Sequence, residues 1–233
     1  MRVSDRKQSD DGKILINFIR VDPGEIDDAL EDVIKTLKDL SWINKLNCMA
    51  LEKSYNVRAN GTIAAIEEEF KKHKGGRISG DIGEYLVSVI ANEVIESELK
   101  YVKMPIIEII EKKLTQNPGF DLAACNDTAN RILFGEAKYI FGKNAYGSAL
   151  TQIVKFIKLE KDIAEIASLQ NFFKKEALYN ACQGKKGFII AFSSLKTDSS
   201  KLIKNIKKNK KYKEILKYEE IVIVAVDLNE KNK

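Results

Sequence analysis

The sequence predicts an α/β fold, a mixed sheet with helices covering both of its faces. Three observations lead to it. Gly187 to Phe192 and Ile221 to Asp227 are continuous apolar runs, as strands buried on both faces are. A lysine-rich helical segment separates these runs, so part of the sheet is parallel. Upstream, two more strand-like runs flank the turn-forming segment Asn126 to Asn130, which is a hairpin signal.

In chain order, Met1 to Gly12 is polar and has no apolar stretch of the secretory type, so a cytoplasmic location is expected. Lys13 to Arg20 reads as a first strand, rich in β-branched and aromatic residues. Pro23 and the acids Glu25, Asp27 and Asp28 open a helix that runs to about Leu40. Leu51 to Lys74 mixes helical patches with Gly61 and ends at Gly75 and Gly76. Asp81 to about Leu99 is strongly helical, with Ile82, Leu86, Val89 and Ile90 on one face. Tyr101 to Lys113 has no decisive period, and Gln116 to Gly119 is a turn. The hairpin strands are Gly119 to Cys125 and Arg131 to Ile140. A long helix from about Tyr146 to Leu169 follows, then a shorter one from Asn171 to Ala181. A helix over Ser199 to Tyr218 joins the two last strands. With no internal repeat and no low-complexity linker, residues 1–78 are expected to be an extension packed on a core of residues 79–233, together one compact unit.

Composition narrows the chemistry. The 233 residues are 44% hydrophobic and 31% charged, a globular balance. No apolar run approaches the ~18 residues of a membrane span, so no membrane association is expected. Cys48, Cys125 and Cys182 are odd in number and lack C-x-x-C spacing, which argues against a disulfide framework and a zinc ribbon. The single histidine is His73. Reactions that need two or more histidines, as in HD phosphohydrolases, HNH nucleases and zincins, are excluded. Any chemistry must run on carboxylates, lysine and a hard metal ion. The net charge of +5 favours nucleic acid only weakly, since lysine outnumbers arginine throughout.

Residues two apart on a strand project from one face, so Glu136 and Lys138 point together, away from Ala137. Asp121, on the preceding strand of the hairpin, can reach the same spot. Two carboxylates and a lysine suit phosphodiester hydrolysis. The carboxylates hold Mg²⁺, with Mn²⁺ as a substitute, and the ion polarises the phosphate and acidifies an attacking water. Lys138 would orient that water or offset charge growing on the phosphate. The competing account is an exposed ion pair across an edge strand. Against it, Ile132, Leu133, Phe134, Tyr139 and Ile140 make this strand read as central, and buried charges are costly unless paired or metal-bound.

Gly119-Phe120-Asp121, with Gly135-Glu136-Ala137-Lys138 following so that Glu136 lies fifteen residues after Asp121, resembles the D-x(n)-E-x-K signature of the PD-(D/E)xK nuclease superfamily. The likeness spans about residues 80 to 193, with Phe120 standing where the family's name has proline. It implies a restriction-endonuclease-like mixed central sheet flanked by helices, preceded by an N-terminal α/β extension. It also implies metal binding by Asp121 and Glu136, completed by the main-chain carbonyl of Ala137, with Lys138 assisting the nucleophile. Glu84 is a further metal or catalytic candidate, because the family often has a glutamate on the preceding helix and Gly80 and Gly83 would let that helix come close. Its rival role is a capping box with Asp81. Gln152 shares a polar helix face with Ser148 and Lys155, where related nucleases touch DNA or the active-site carboxylates. A solvent-facing stripe explains it equally well.

Within the superfamily, the N-terminal extension and the two motif strands resemble the HamA nucleases of Hachiman antiphage defence systems. That likeness implies DNA as substrate and a HamB-like helicase partner that restrains cleavage. Neither Gly75-Gly76 nor Gly184 to Gly187 fits a Walker motif, so an ATP-driven step would need another protein. A stand-alone dimeric restriction-type endonuclease and a catalytically silent DNA-binding scaffold are the alternatives. The lysines from Lys201 to Lys213 can contact phosphates or simply form a solvated helix face.

Overall fold

The computed structural model describes residues 1–10, 13–46, 48–72, 78–105, 119–195 and 197–228. Its strands are β1 (Arg2–Asp10), β2 (Leu15–Asp22), β3 (Val102–Lys103), β4 (Leu122–Asn126), β5 (Arg131–Lys138), β6 (Lys186–Ser194) and β7 (Glu220–Asp227). They form one seven-stranded sheet in the order β1-β2-β7-β6-β5-β4-β3. The inner strands β2, β7, β6 and β5 are mutually parallel. At one edge β1 pairs antiparallel with β2, and at the other β4 pairs antiparallel with β5 and β3 antiparallel with β4. The mixed α/β class read from the sequence is thus met.

Helices cover both faces. One layer holds α1 (Ile26–Lys38), α2 (Met49–Lys72) and α3 (Gly80–Leu99). Leu30, Val33, Ile63, Leu86 and Val94 there pack with Leu133, Ala137, Ile189, Val222 and Val224 of the sheet. The other layer holds α4 (Tyr146–Lys158), α5 (Lys161–Ala164), α6 (Ile166–Leu169), α7 (Lys175–Cys182), α8 (Ser199–Lys208) and α9 (Lys210–Ile215). Leu150, Ile153, Leu202 and Ile206 of this layer pack with Phe134, Phe188, Ile190 and Ile223. The alternation of β6 and β7 residues between the two clusters explains their unbroken apolar sequence: every side chain is buried, on one face or the other. Each such Ile or Phe contributes about 1.5–3 kcal/mol on leaving water. Among the described residues no helix is long and apolar enough to cross a membrane.

Residues 1–78 supply two of the seven strands, and β2 lies directly beside β7. The sequence carries no sign of strand β1. Its side chains are exposed or half-buried and mostly polar or charged, so no alternating pattern marks it. Charged residues on a long edge strand also deter pairing with a second sheet. Helix α2 runs unbroken through Gly61, where the sequence suggested patches. The buried stripe of Tyr55, Ala59, Thr62, Ile63 and Ile66 outweighs the roughly 1 kcal/mol that one interior glycine costs. His73, the Gly75-Gly76 break and most of the 101–119 region lie outside the described residues.

Two long helices expected from the sequence are broken. The one over Tyr146 to Leu169 stops at Lys158, because Glu160 turns the chain through the left-handed region at φ 53°. Beyond the turn, Asp162 pairs with Lys186 and Glu165 reaches the start of the motif hairpin. The one over Ser199 to Tyr218 breaks at Asn209, which adopts an extended conformation and caps α9 by accepting from the Lys211 N–H at 2.8 Å.

Tyr212 packs in the α4–α9 core at 1% exposure, and its hydroxyl has no hydrogen-bond partner among the described residues. Burial pushes its pKa up to about 12. A buried hydroxyl without a partner costs about 1–3 kcal/mol, so Tyr212→Phe is expected to raise stability by about 1 kcal/mol. Chemical denaturation checks this, and a lower midpoint in the variant would refute it.

Candidate active site

The site is built where the motif hairpin ends. Leu122 is the first residue of β4 and pairs with Gly135, so Asp121 sits just beyond the ladder, beside Glu136 and Ala137. Its N–H donates to the Gly135 carbonyl at 2.8 Å, and its Oδ2 accepts the Ala137 N–H at 3.1 Å. The aspartate side chain thereby continues the ladder where the strand stops. A residue's N–H and C=O leave a strand on the same side, so the Ala137 carbonyl also faces this gap. Glu136 shares the face of Ile132 and Phe134, which pack into the α4–α9 layer.

Lys138 gathers the acids. Its Nζ lies 3.1 Å from Glu84 Oε1, 3.7 Å from Glu136 Oε2 and 3.8 Å from Asp121 Oδ2. The Asp121 and Glu136 side chains are 1% and 0% exposed, whereas Lys138 and Glu84 keep 14% and 22%. Two buried carboxylates therefore lie behind a lysine and a glutamate that reach solvent. Burying an ion costs several kcal/mol unless opposite charge and hydrogen bonds compensate, and one ammonium here serves three carboxylates. Each of the four residues singled out for chemistry on this strand pair and helix is brought to this point.

The donor set suits a hard divalent ion: the carboxylate oxygens of Asp121 and Glu136 and the main-chain oxygen of Ala137. Among the described residues no group of three His, Cys, Asp or Glu side chains stands ready to hold a metal. Glu84 is directed to Lys138, with a hydrogen bond of 3.3 Å from Nζ to Oε2.

Glu84 owes its place to Gly83. A Cβ at Gly83 would fall 2.2–2.7 Å from Tyr139 ring atoms, so α3 approaches the residue after Lys138 more closely than any side chain would allow. Gly80 has no such role, since a Cβ there would meet nothing within 4 Å. The capping-box account of Glu84 also fails: Ser79 is the N-cap, accepting from the Ile82 N–H at 3.3 Å, and Glu84 lies beyond that turn. Gly83→Ala is expected to lever α3 off Tyr139, at a cost of about 1–3 kcal/mol in stability. Thermal melting would detect it, and a wild-type melting temperature would show that α3 need not sit so close.

One supporting residue has no signal in the sequence. Glu165 is buried, and its Oε1 accepts the Phe120 N–H at 2.6 Å, against Gly119, where a Cβ would come within 2.1 Å of the same oxygen. The Phe120 ring is held by Phe134, Phe156 and Phe188 at centroid distances of 5.4, 5.2 and 6.2 Å. Asp121 is therefore presented from a backbone fixed on both sides. In sequence Glu165 is one acid among many on a polar helical stretch, and only the turn at Glu160 brings it inward.

Gln152 is half-buried on α4, in a shallow groove with Asn144, Gly147, Ser148, Thr151 and Lys155. No hydrogen bond among the described residues joins it to Asp121, Glu136 or Lys138. As the sequence suggested, Leu150, Ile153 and Val154 point the other way, into the core. No known family model matches this chain, and no curated protein matches it.

Proposed function

We propose that this chain is a metal-dependent nuclease of the PD-(D/E)xK type that hydrolyses DNA phosphodiester bonds. The observation that carries the reading is the meeting of Asp121, Glu136 and Glu84, from three separate elements, within 3.8 Å of one lysine ammonium. Asp121, Glu136 and the Ala137 carbonyl would hold Mg²⁺ or Mn²⁺. Such an ion supplies Lewis-acid polarisation of the phosphate and a more acidic water.

The chain's own residues do the rest. Lys138 donates hydrogen bonds from Nζ toward the scissile phosphate, orienting the nucleophilic water and offsetting the charge that grows on phosphate oxygen. Glu84 holds the Lys138 side chain in one direction. Glu165 and the Phe120 ring fix the backbone that presents Asp121. Burial of the two carboxylates lowers the local dielectric and strengthens every charge interaction at the reacting centre.

The resemblance to HamA extends this reading to a defence effector governed by a helicase partner. A second reading rests on the same lysine. Because Lys138 already gives the carboxylates a cation, the cluster also suits a silent nuclease fold that serves as a DNA-binding scaffold.

Plasmid DNA incubated with the protein and Mg²⁺ or Mn²⁺, alone and with a candidate helicase, separates the two. Loss of intact plasmid that EDTA abolishes and re-added metal restores supports the nuclease. Intact plasmid under every condition, with the partner present, leaves the scaffold.

A further inference from the structure

Residues 201–217 carry eight lysines and a single acid, Glu214. The structure sorts this segment cleanly. Leu202, Ile206, Tyr212 and Ile215 are buried in the core, while Lys201, Lys204, Lys207, Lys208, Lys210 and Lys213 are exposed. The one acid is already engaged, at 2.9 Å from Lys211 and 3.5 Å from Lys158 of α4. The surface is thus a dense field of cations on a rigid support. From Lys201 to Lys208 it extends about 10 Å along α8, and α9 prolongs it.

Asn144, six residues past Lys138 in the sequence, links the segment that leads into this field to the approach to α4. Its Oδ1 accepts the Leu195 N–H at 2.9 Å and the Ser194 hydroxyl at 3.3 Å. Its Nδ2 donates to Thr197 Oγ1 at 3.4 Å. Those residues lead directly into α8. Asn144 also lines the polar α4 groove with Ser148, Thr151, Gln152 and Lys155. At the start of α4, a Cβ on Gly147 would lie 3.9 Å from the side chain of Asn209, the α8–α9 junction. The groove and the lysine field therefore adjoin.

Proteins that hold single strands stack bases on exposed aromatic rings. This surface has none to offer. Tyr212 is buried, Tyr146 packs edge-on against Phe192 at 5.7 Å, and Tyr218 packs against Phe188 at 4.8 Å. Cations without stacking platforms suit the paired phosphate rows of a duplex, contacted without regard to sequence.

We propose that the α8–α9 lysine face, continued by the α4 groove, is a binding tract for the backbone of double-stranded nucleic acid. It deepens the nuclease reading and rests on it only in treating the bound duplex as substrate. Binding itself needs no metal.

The test uses the full chain in EDTA. Fluorescence anisotropy follows short labelled DNA duplex, RNA duplex and single-stranded DNA across a salt series, and co-sedimentation follows vesicles of phosphatidylserine and phosphatidylcholine. The protein is compared with a variant combining Lys201→Gln, Lys204→Gln, Lys207→Gln and Lys208→Gln. A second variant with arginine at the same four positions controls for folding. Each lysine–phosphate contact changes the slope of log affinity against log salt by about 0.9, a factor of about eight per tenfold change in salt. The glutamine variant is therefore expected to bind duplex at least a hundredfold more weakly at low salt, with a slope shallower by about 3.6, while the arginine variant binds as wild type. The DNA and RNA arms show which duplex is the tighter ligand.

Equal binding by the glutamine variant and wild type overturns the proposal. So does tighter binding of single strands or of vesicles than of either duplex. The two readings fail separately: duplex that binds through these lysines but is never cut with metal removes the nuclease and leaves the tract. Cleavage and binding that both survive the glutamine variant remove the tract and leave the nuclease.

Discussion

Glu136→Gln is expected to lower metal-dependent cleavage by about 10³-fold while leaving the fold intact. The substitution keeps shape and volume at a side chain that is fully buried, so no cavity forms. What it removes is charge. Glu136 is one of the two buried carboxylates beside Lys138, and a neutral amide oxygen holds a divalent ion far less well. Stability should change little, by about 1 kcal/mol or less, because a buried carboxylate is expensive to keep ionised even beside an ammonium. The paired readout is thermal melting with and without Mg²⁺. A ligand that binds only the folded chain raises its melting temperature by mass action. Wild type should gain stability from the metal, and Glu136→Gln should lose that gain together with its activity. A variant that still cuts within about tenfold of wild type would remove Glu136 from the chemistry. Lys138→Met is informative beside it. It removes the ammonium from three carboxylates and is expected to destabilise the chain as well as to silence it.

How far the sequence disclosed all this depends on whether a feature is local. The strands β5, β6 and β7 were legible because burial on both faces leaves a continuous apolar run. The same holds for Asp121, Glu136 and Lys138: a period of two and a short turn place them together with no knowledge of the rest of the chain. Glu84 was legible through Gly83, although Gly80 plays no part in the approach and the helix is capped by Ser79 rather than by Asp81. What the sequence does not show depends on distant partners. Strand β1 exists because β2 offers it a ladder, and its exposed polar side chains leave no pattern. The breaks at Glu160 and Asn209 fall within helical periodicity. At Glu160 the chain turns to deliver Asp162 to Lys186 and Glu165 to Phe120, contacts across 24 and 45 residues. The mixed α/β class and the meeting of Asp121, Glu136 and Lys138 were therefore readable, and the residues that hold that meeting in place were not.

Arg20→Met is expected to cost about 3–5 kcal/mol, the range for removing one partner of a buried ion pair. At this chain length that is a fall in melting temperature of roughly 10 °C. Arg20, on β2, is 8% exposed and uses all five of its N–H groups. Nε and Nη2 bind both oxygens of Asp227 on β7, at 2.8 and 3.0 Å. Nη2 also donates to the Leu195 carbonyl at 2.9 Å, and Nη1 to the Thr197 carbonyl and, at 3.2 Å, to Ser199 Oγ. One planar fork thus joins the ends of two parallel strands to the connection between β6 and α8. Methionine fills the space but leaves a buried carboxylate and three acceptors without their donor. Lysine should recover only part of the loss, since a single ammonium cannot reproduce the fork. Pairing Arg20→Met with Asp227→Leu should recover more, because it removes the stranded charge as well. The consequence extends to the lysine face. Leu195 and Thr197, held on one side by Arg20, are held on the other by Asn144, between Lys138 and α4. Loosening the clamp should therefore lower duplex affinity at temperatures where the chain is still folded. Melting of the single and double variants, with duplex binding measured well below the transition, tests both steps. A single variant that melts with wild type would mean that water or a neighbouring donor replaces the guanidinium, and the link from strand ends to lysine face would be lost.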